Sequence, residues 1–537
     1  MSVLSRLLKV GSMVDSLGVY VPAMVLQKAM GLARLFFFIY MLHELQHGLW
    51  GLGAMIFTMA APLLTLGSNH GLVRYVSFYE VRGRLSVFYR KLWPRVLAMV
   101  AALAVVAFLA GKVLTDLLIV SRTRSSLGYS QQLWICYAAI ANAMLMALYH
   151  NMLGFMYGMR AYRLVAVVEL FFGIVLTVML PAALLAEPTA LTALWVHLAA
   201  VAAALAGGMT LLHIGVTRLT DHVPVIPDEG LVMEVDPAGE EITGAVPESP
   251  MPADTPEAPE KNAFERVLKF GSVAMIATLL WHGVGFVSFW LTNRFAGTAK
   301  LGVFRAFLML GQSVIFIANS AWAVIFSHVA RRWENDDRKT ALFTLQAAYK
   351  AVALIMMTLT ITVYVSAPLW VRILPVRYQD GLPLLGGLLM FFQGITHLSI
   401  MTIIAKLQER PYVIALASLA AGAANVLLAL WWMPICRYAP AGASWAAGVG
   451  LYVGAGLVTL LYFYLTDVKL SFVTHVVMVL PVMLLMPLCL PVWVLAVVWM
   501  LLLAVAVGTP WCFQPDERRV LAFYIVRTAK SLKRVFS

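Results

Sequence analysis

Charge is what this sequence has least of: 12% of its 537 residues are Asp, Glu, Lys or Arg, where a soluble domain carries roughly 25%. A chain so poor in charge cannot solvate a globular surface of this size, which excludes a soluble fold. Cysteine is scarce as well. Cys136, Cys436, Cys489 and Cys512 lie far apart, which excludes a disulfide framework and the spacing of zinc or redox motifs. They are expected to be ordinary packing or surface thiols, and no metal or cofactor is implied. Paired carboxylates and nucleophile–base spacings are absent. So are long loops on one side of the chain's alternation, and together these gaps argue against an enzyme.

What remains is apolar. Residues of that kind make up 62% of the chain, with a mean hydropathy of +0.86. They come in runs near 17–42, 49–73, 96–120, 131–157, 162–186, 190–217, 267–293, 301–329, 345–371, 381–405, 411–434, 441–466, 472–490 and 491–509. Such runs match the ~20 residues that cross a hydrocarbon core of about 30 Å. The expectation is an all-α polytopic membrane protein of about 14 transmembrane helices. The first run carries Lys28 and Arg34, which suits a retained helix better than a cleaved signal.

The formal charge of +13 is not a nucleic-acid signature, because the cations sit in short loops and form no stripe on a soluble module. They report orientation. One set of alternate loops, with both ends of the chain, holds 27 lysines and arginines. The other holds seven: Arg122, Arg124, Arg294, Lys300, Arg372, Arg377 and Arg437. The positive-inside rule then places both termini in the cytoplasm, which requires an even number of crossings.

Residues 219–262 differ from their surroundings, with eight prolines and eleven of the chain's 26 acidic residues. A segment of this kind buries too little surface to offset its ordering entropy and is expected to be a disordered cytoplasmic linker. It divides the chain into an N-lobe of six helices (1–218) and a C-lobe of six (263–470). Helices 13 and 14 (471–509) and a basic amphipathic tail (510–537), expected to lie on anionic lipid, complete the chain. Shifting the second half back by 254 residues sets Gly302-Val303-Phe304 against Gly48-Leu49-Trp50, and His282 against Lys28. Both halves start in the cytoplasm, so the repeat is parallel, with a pseudo-two-fold axis along the membrane normal.

Five cations fall inside spans: Lys28, Arg34, Lys112, Arg305 and Lys350. Each costs about 2.5–3.5 kcal/mol at a helix centre. Lys112 and Lys350 can snorkel or pair locally. Lys28 and Arg34 share the first span with no acid between them, about 9 Å and 120° apart on an ideal helix. Glu169 is the one acid well inside a span, either as a partner for these cations or as a coupling carboxylate. A cationic cavity in lipid calls for an anionic cargo. Arg supplies a fork matching phosphate oxygens and Lys a point charge. His43, His47, His150 and His397 read as interfacial or packing histidines, and Gln393 and Asn425 as interhelical hydrogen-bond glue.

Three stretches carry a family likeness. Leu26-Gln27-Lys28-Ala29-Met30-Gly31-Leu32-Ala33-Arg34 places two cations around a glycine. Gly48-Leu49-Trp50 precedes Leu66-Gly67 and then Arg74-Tyr75-Val76-Ser77. Gly302-Val303-Phe304-Arg305 opens the eighth span. The pattern resembles the polysaccharide and O-antigen flippases (Wzx type) of the multidrug/oligosaccharidyl-lipid/polysaccharide exporter superfamily, related to the lipid II flippases (MurJ type). The likeness covers roughly residues 5–467. It implies alternating-access transport of a polyprenyl-diphosphate-linked oligosaccharide, with Lys28, Arg34 and Arg305 on the diphosphate. Leu35 departs from the acid that follows the second cation in lipid II flippases. Glu169 and His282 are the expected coupling groups. Membrane lipids and a polysaccharide polymerase or assembly machinery are the expected partners, and nucleic acid is not. A lipid II flippase and a cation-coupled multidrug antiporter are the alternatives.

Overall fold

The computed structural model describes residues 13–81, 84–120, 128–159, 161–221, 234–235, 241–242, 263–334, 337–408, 410, 412–466, 468–519 and 522. Outside a pair of two-residue antiparallel strands, Glu234–Val235 with Glu241–Ile242, it is helical. The remaining linker residues lie outside the described residues, as does most of the tail beyond 519.

The first half is α1 (Met13–Met41), α2 (Glu44–Thr65), α3 (Ser68–Val81), α4 (Leu85–Leu109), α5 (Gly111–Leu118), α6 (Tyr129–Gly158), α7 (Tyr162–Ala186) and α8 (Ala190–Asp221). The second half opens with α9 (Ala263–Ala296), α10 (Thr298–Glu334) and α11 (Arg338–Trp370), then a single turn, α12 (Val376–Gln379). It continues with α13 (Leu385–Leu407), α14 (Tyr412–Ile435), α15 (Ala439–Leu465), α16 (Phe472–Val479) and α17 (Val492–Gly508). Among the described residues, eleven helices are long and apolar enough to cross a membrane. The 37-residue α10, with Lys300 and Arg305 near its start, is more polar. With it and the two shorter apolar helices near the C-terminus, the chain is an all-α, multi-pass membrane protein.

Two expected spans are drawn differently. The run 49–73 is not one helix: it breaks between α2 and α3, where Leu66 and Gly67 adopt φ of 46° and 73°. A Cβ at Gly67 would lie 2.0 Å from the carbonyl oxygen of Gly271 on α9, so the break lets two backbones touch. The third helix starts at Leu85 and not near 96. Leu85, Phe88, Tyr89, Leu92 and Val96 are buried on one face, and this face carries the helix through Arg90, Lys91 and Arg95, which precede the apolar run. Near the C-terminus, α16 is only two turns long and continues as a 3-10 stretch, Leu480–Leu488. Pro481 and Pro487 remove two backbone donors from that stretch.

The tail contradicts part of its expected role. Lys350, inside α11, does not snorkel. Its ammonium reaches Glu517 at 2.6 and 2.7 Å and Cys512 O at 2.9 Å, and both charged side chains are buried. Glu517 Oε2 also accepts from the Gln514 amide at 2.9 Å. The start of the tail is therefore tied into the bundle and not laid on lipid. Breaking a buried pair leaves one charge unpaired, so Glu517→Gln is expected to cost about 3–5 kcal/mol in the folded state, whereas a double apolar replacement of Lys350 and Glu517 comes out near neutral. Thermal unfolding in detergent measures both.

Candidate functional site

Among the described residues, the halves meet backbone to backbone toward each end of the bundle. At the first, α2 crosses α10. A Cβ at Gly48 would lie 2.0 Å from Thr298 O, and one at Gly302 would lie 1.9 Å from Glu44 O. The 254-residue offset that aligns Gly48 with Gly302 in sequence thus also brings them together in space. Around this crossing the Arg377 guanidinium donates to Ile39 O, Tyr40 O and Leu42 O at 3.3, 3.4 and 3.1 Å. The end of α9 donates through Trp290, Asn293 and Arg294 to Leu117 O, Ile119 O and Val120 O. At the opposite end Gly67 meets Gly271, and a Cβ at Gly71 would lie 2.4 Å from Val267 O. Gly48 and Gly67 are nineteen residues apart, roughly 28 Å of helix, close to the thickness of a bilayer core. The halves are closed on each other at both ends.

The expected cations lie between these closures. Arg34, on α1, turns toward α7: its Nη1 donates to Gly173 O at 3.1 Å and to Thr177 Oγ1 at 3.0 Å. A guanidinium has five donors, and among the described residues only this nitrogen is engaged. Lys28, two turns earlier, is in electrostatic range of Glu169, also on α7, and of Arg34. Glu169 takes a hydrogen bond from Tyr157, while its Oε2 has no hydrogen-bond partner among the described residues. Lys28 therefore has a carboxylate counter-charge, and Arg34 has none among the described residues.

Arg305 sits one turn inside the α2–α10 crossing, against the face of Gly51, whose Cβ would lie 3.2 Å from Arg305 Cγ. Its guanidinium stands over the Phe289 ring at 5.8 Å, and Nε has no hydrogen-bond partner among the described residues. Arg34 lies seven residues from the end of α1 and Arg305 seven from the start of α10. Both are thus about 10 Å from the same end of the bundle.

Between the two arginines lies an aromatic cluster. Phe38 stacks on Trp50 at 4.9 Å and on His47 at 5.9 Å. His197 stacks on Phe57 at 4.7 Å and bonds Asn142 at 2.7 Å. His197 is in electrostatic range of Arg34, and His47 of Arg305.

His282 keeps different company. It and His70 are the electrostatic neighbours of His150, so α3, α6 and α9 bring three histidines to the seam between the halves, with Lys406 beside His70. The sequence carried no sign of this meeting, because residues so far apart along the chain come together only once the halves are packed. The glue reading of Gln393 and Asn425 fits: Gln393 bonds Met356 O and Thr360, and Asn425 links Val284 O to Ser288. All four cysteines are free. No group of three or more His, Cys, Asp or Glu among the described residues is arranged to hold a metal.

The architecture has known relatives in solved structures. An inward-facing multidrug resistance MATE family transporter of the MOP superfamily superposes with a TM-score of 0.56, covering 82% of this chain and 96% of that one at 13% identity. The fold is shared with MATE family transporters. A MATE structure in complex with MaD3S gives a TM-score of 0.53 at 14% identity over 86% of this chain and 97% of that one. A MOP superfamily transporter from Pyrococcus furiosus, described as having a binding pocket of reverse polarity that suggests a different function, gives 0.52 at 12% identity over 86% and 97%. No protein-family profile and no curated protein matches the sequence.

Proposed function

We propose that this protein is an alternating-access transporter in the bacterial inner membrane, both termini cytoplasmic, and that it flips a polyprenyl-diphosphate-linked oligosaccharide. The observation that supports this is a pair of guanidiniums, Arg34 and Arg305, without carboxylate partners among the described residues and at matching depth just inside one closure. A diphosphate presents oxygens that two planar forks can share. The polyprenyl tail stays in lipid while the head crosses between the halves. Coupling falls to Glu169 with its Lys28 partner and to His282 among the seam histidines. A polymerase or assembly complex on the far side takes the product.

Two readings share the architecture. A lipid II flippase would use the same phosphate chemistry on a different sugar. A cation-coupled multidrug antiporter has one observation in its favour, the Glu169 carboxylate, alongside the multidrug neighbour in fold. Reconstitution in proteoliposomes separates them. A fluorescent polyprenyl-diphosphate glycan moves between leaflets faster than in empty vesicles, and ethidium is not expelled. Ethidium efflux without glycan movement would overturn the flippase reading. Coupling has its own test: if Glu169 serves only to balance Lys28, the double substitution Lys28→Ala with Glu169→Gln restores transport lost in either single variant. Continued loss in the double variant, with Lys28→Ala alone retaining transport, assigns Glu169 a role in coupling; loss in Lys28→Ala alone that the second change does not restore assigns Lys28 to the cargo.

A further inference from the structure

A second cationic site lies away from the central pair. Arg84, Lys91 and Arg95 line a cleft with Tyr79, Phe88 and Phe264. On α4 the positions 84, 88, 91 and 95 fall within about 60° of one line and span roughly 16 Å, so the cations form a stripe running inward from the helix start. Tyr79, from α3, stacks on Phe88 at 4.3 Å with an interplanar angle of 11°. Phe264, from the first turn of α9, closes the cleft from the other half. None of the described residues lining it is acidic. All three cations are exposed, at the end of the bundle where α1 and α9 begin, which the loop charges assign to the cytoplasm.

We propose that this cleft binds the phosphate headgroup of an anionic lipid of the cytoplasmic leaflet. The chemistry is that of a lipid and not of a soluble anion alone: three cations face the phosphate, and aromatic rings with Val87 and Leu92 take the first methylenes of the acyl chains. Because Phe264 belongs to α9 and the stripe to α4, a bound headgroup bridges the halves. The site is independent of what the central arginines carry.

Each surface cation contributes about fivefold to anionic-lipid affinity, so three contribute on the order of 100-fold. The test is native mass spectrometry of the full chain in detergent, titrated with phosphatidylglycerol, phosphatidylcholine or inorganic phosphate. Wild type is expected to bind phosphatidylglycerol about 100-fold more tightly than the triple variant Arg84→Ala, Lys91→Ala, Arg95→Ala. Lys91→Gln alone, a milder change should the triple variant fail to fold, loses about fivefold. Arg90→Ala, on the opposite face of α4, is unchanged. Equal affinity in the Lys91→Gln and Arg90→Ala variants, or equal binding of phosphatidylcholine, would overturn the site. Displacement of phosphatidylglycerol by inorganic phosphate would overturn its assignment to lipid.

Discussion

Alanine at Arg305 is expected to cut transport sharply and, at the same time, to raise the melting temperature of the protein. The two effects share one cause. Arg305 is half-buried one turn inside the α2–α10 crossing, with Nε lacking a hydrogen-bond partner among the described residues and the Phe289 ring 5.8 Å from the guanidinium. A buried donor without an acceptor destabilises the state that holds it, and removing it relieves that cost. The same unspent donors are what a phosphate would use. Charge-assisted hydrogen bonds are worth about 1.5–3 kcal/mol, so losing them lowers transport roughly 10- to 150-fold. Arg34→Ala should lose a similar factor without the gain in stability, because Arg34 already bonds Gly173 and Thr177. Lysine at either position keeps the charge but not the fork and recovers only part of the activity. The measurements are glycan flipping in proteoliposomes and thermal unfolding of the same preparations. Full transport by the Arg305→Ala protein would end the case for a cationic cargo site.

The second large effect concerns closure. Leucine at Gly302 cannot coexist with the α2–α10 crossing, since even its Cβ would fall 1.9 Å from the Glu44 carbonyl. Backbone cannot yield as a side-chain tip can, so the substitution is expected to hold that end of the protein open and to stop the cycle. Tyr40 and Ile373, joined there by a hydrogen bond from the phenol to the carbonyl, give a reporter. With the four native cysteines replaced by serine, cysteines at 40 and 373 should be joined by a short bifunctional maleimide in the Gly302 protein. The yield should fall at least tenfold in the Gly302→Leu protein, and transport should fall with it. Undiminished crosslinking would mean that the halves separate elsewhere. Bulk at Gly48 tests the same crossing from the other side.

How much of this was legible beforehand differs from element to element. The membrane class follows from scarce charge and long apolar runs, because backbone in lipid can only be satisfied within helices or closed barrels. The helices that wander from expectation are those where tertiary contact outweighs hydropathy. The α2–α3 break exists because Gly67 must touch Gly271. The early start of α4 exists because its charged first turns hide a buried face. A window average sees neither.

By itself, the sequence determined that this chain crosses the membrane many times, that its halves share a faint repeat at Gly48 and Gly302, and that a few cations are left inside. Those are local properties: hydropathy, spacing and the cost of charge in lipid are set residue by residue. Only the tertiary structure decided which cations are already balanced. It gave Lys28 the carboxylate of Glu169 and Lys350 that of Glu517, partners 141 and 167 positions distant, while leaving Arg34 and Arg305 beneath one closure with donors to spare. Electrostatic pairing depends on distance in space, and that is fixed only when helices remote in the chain are packed side by side.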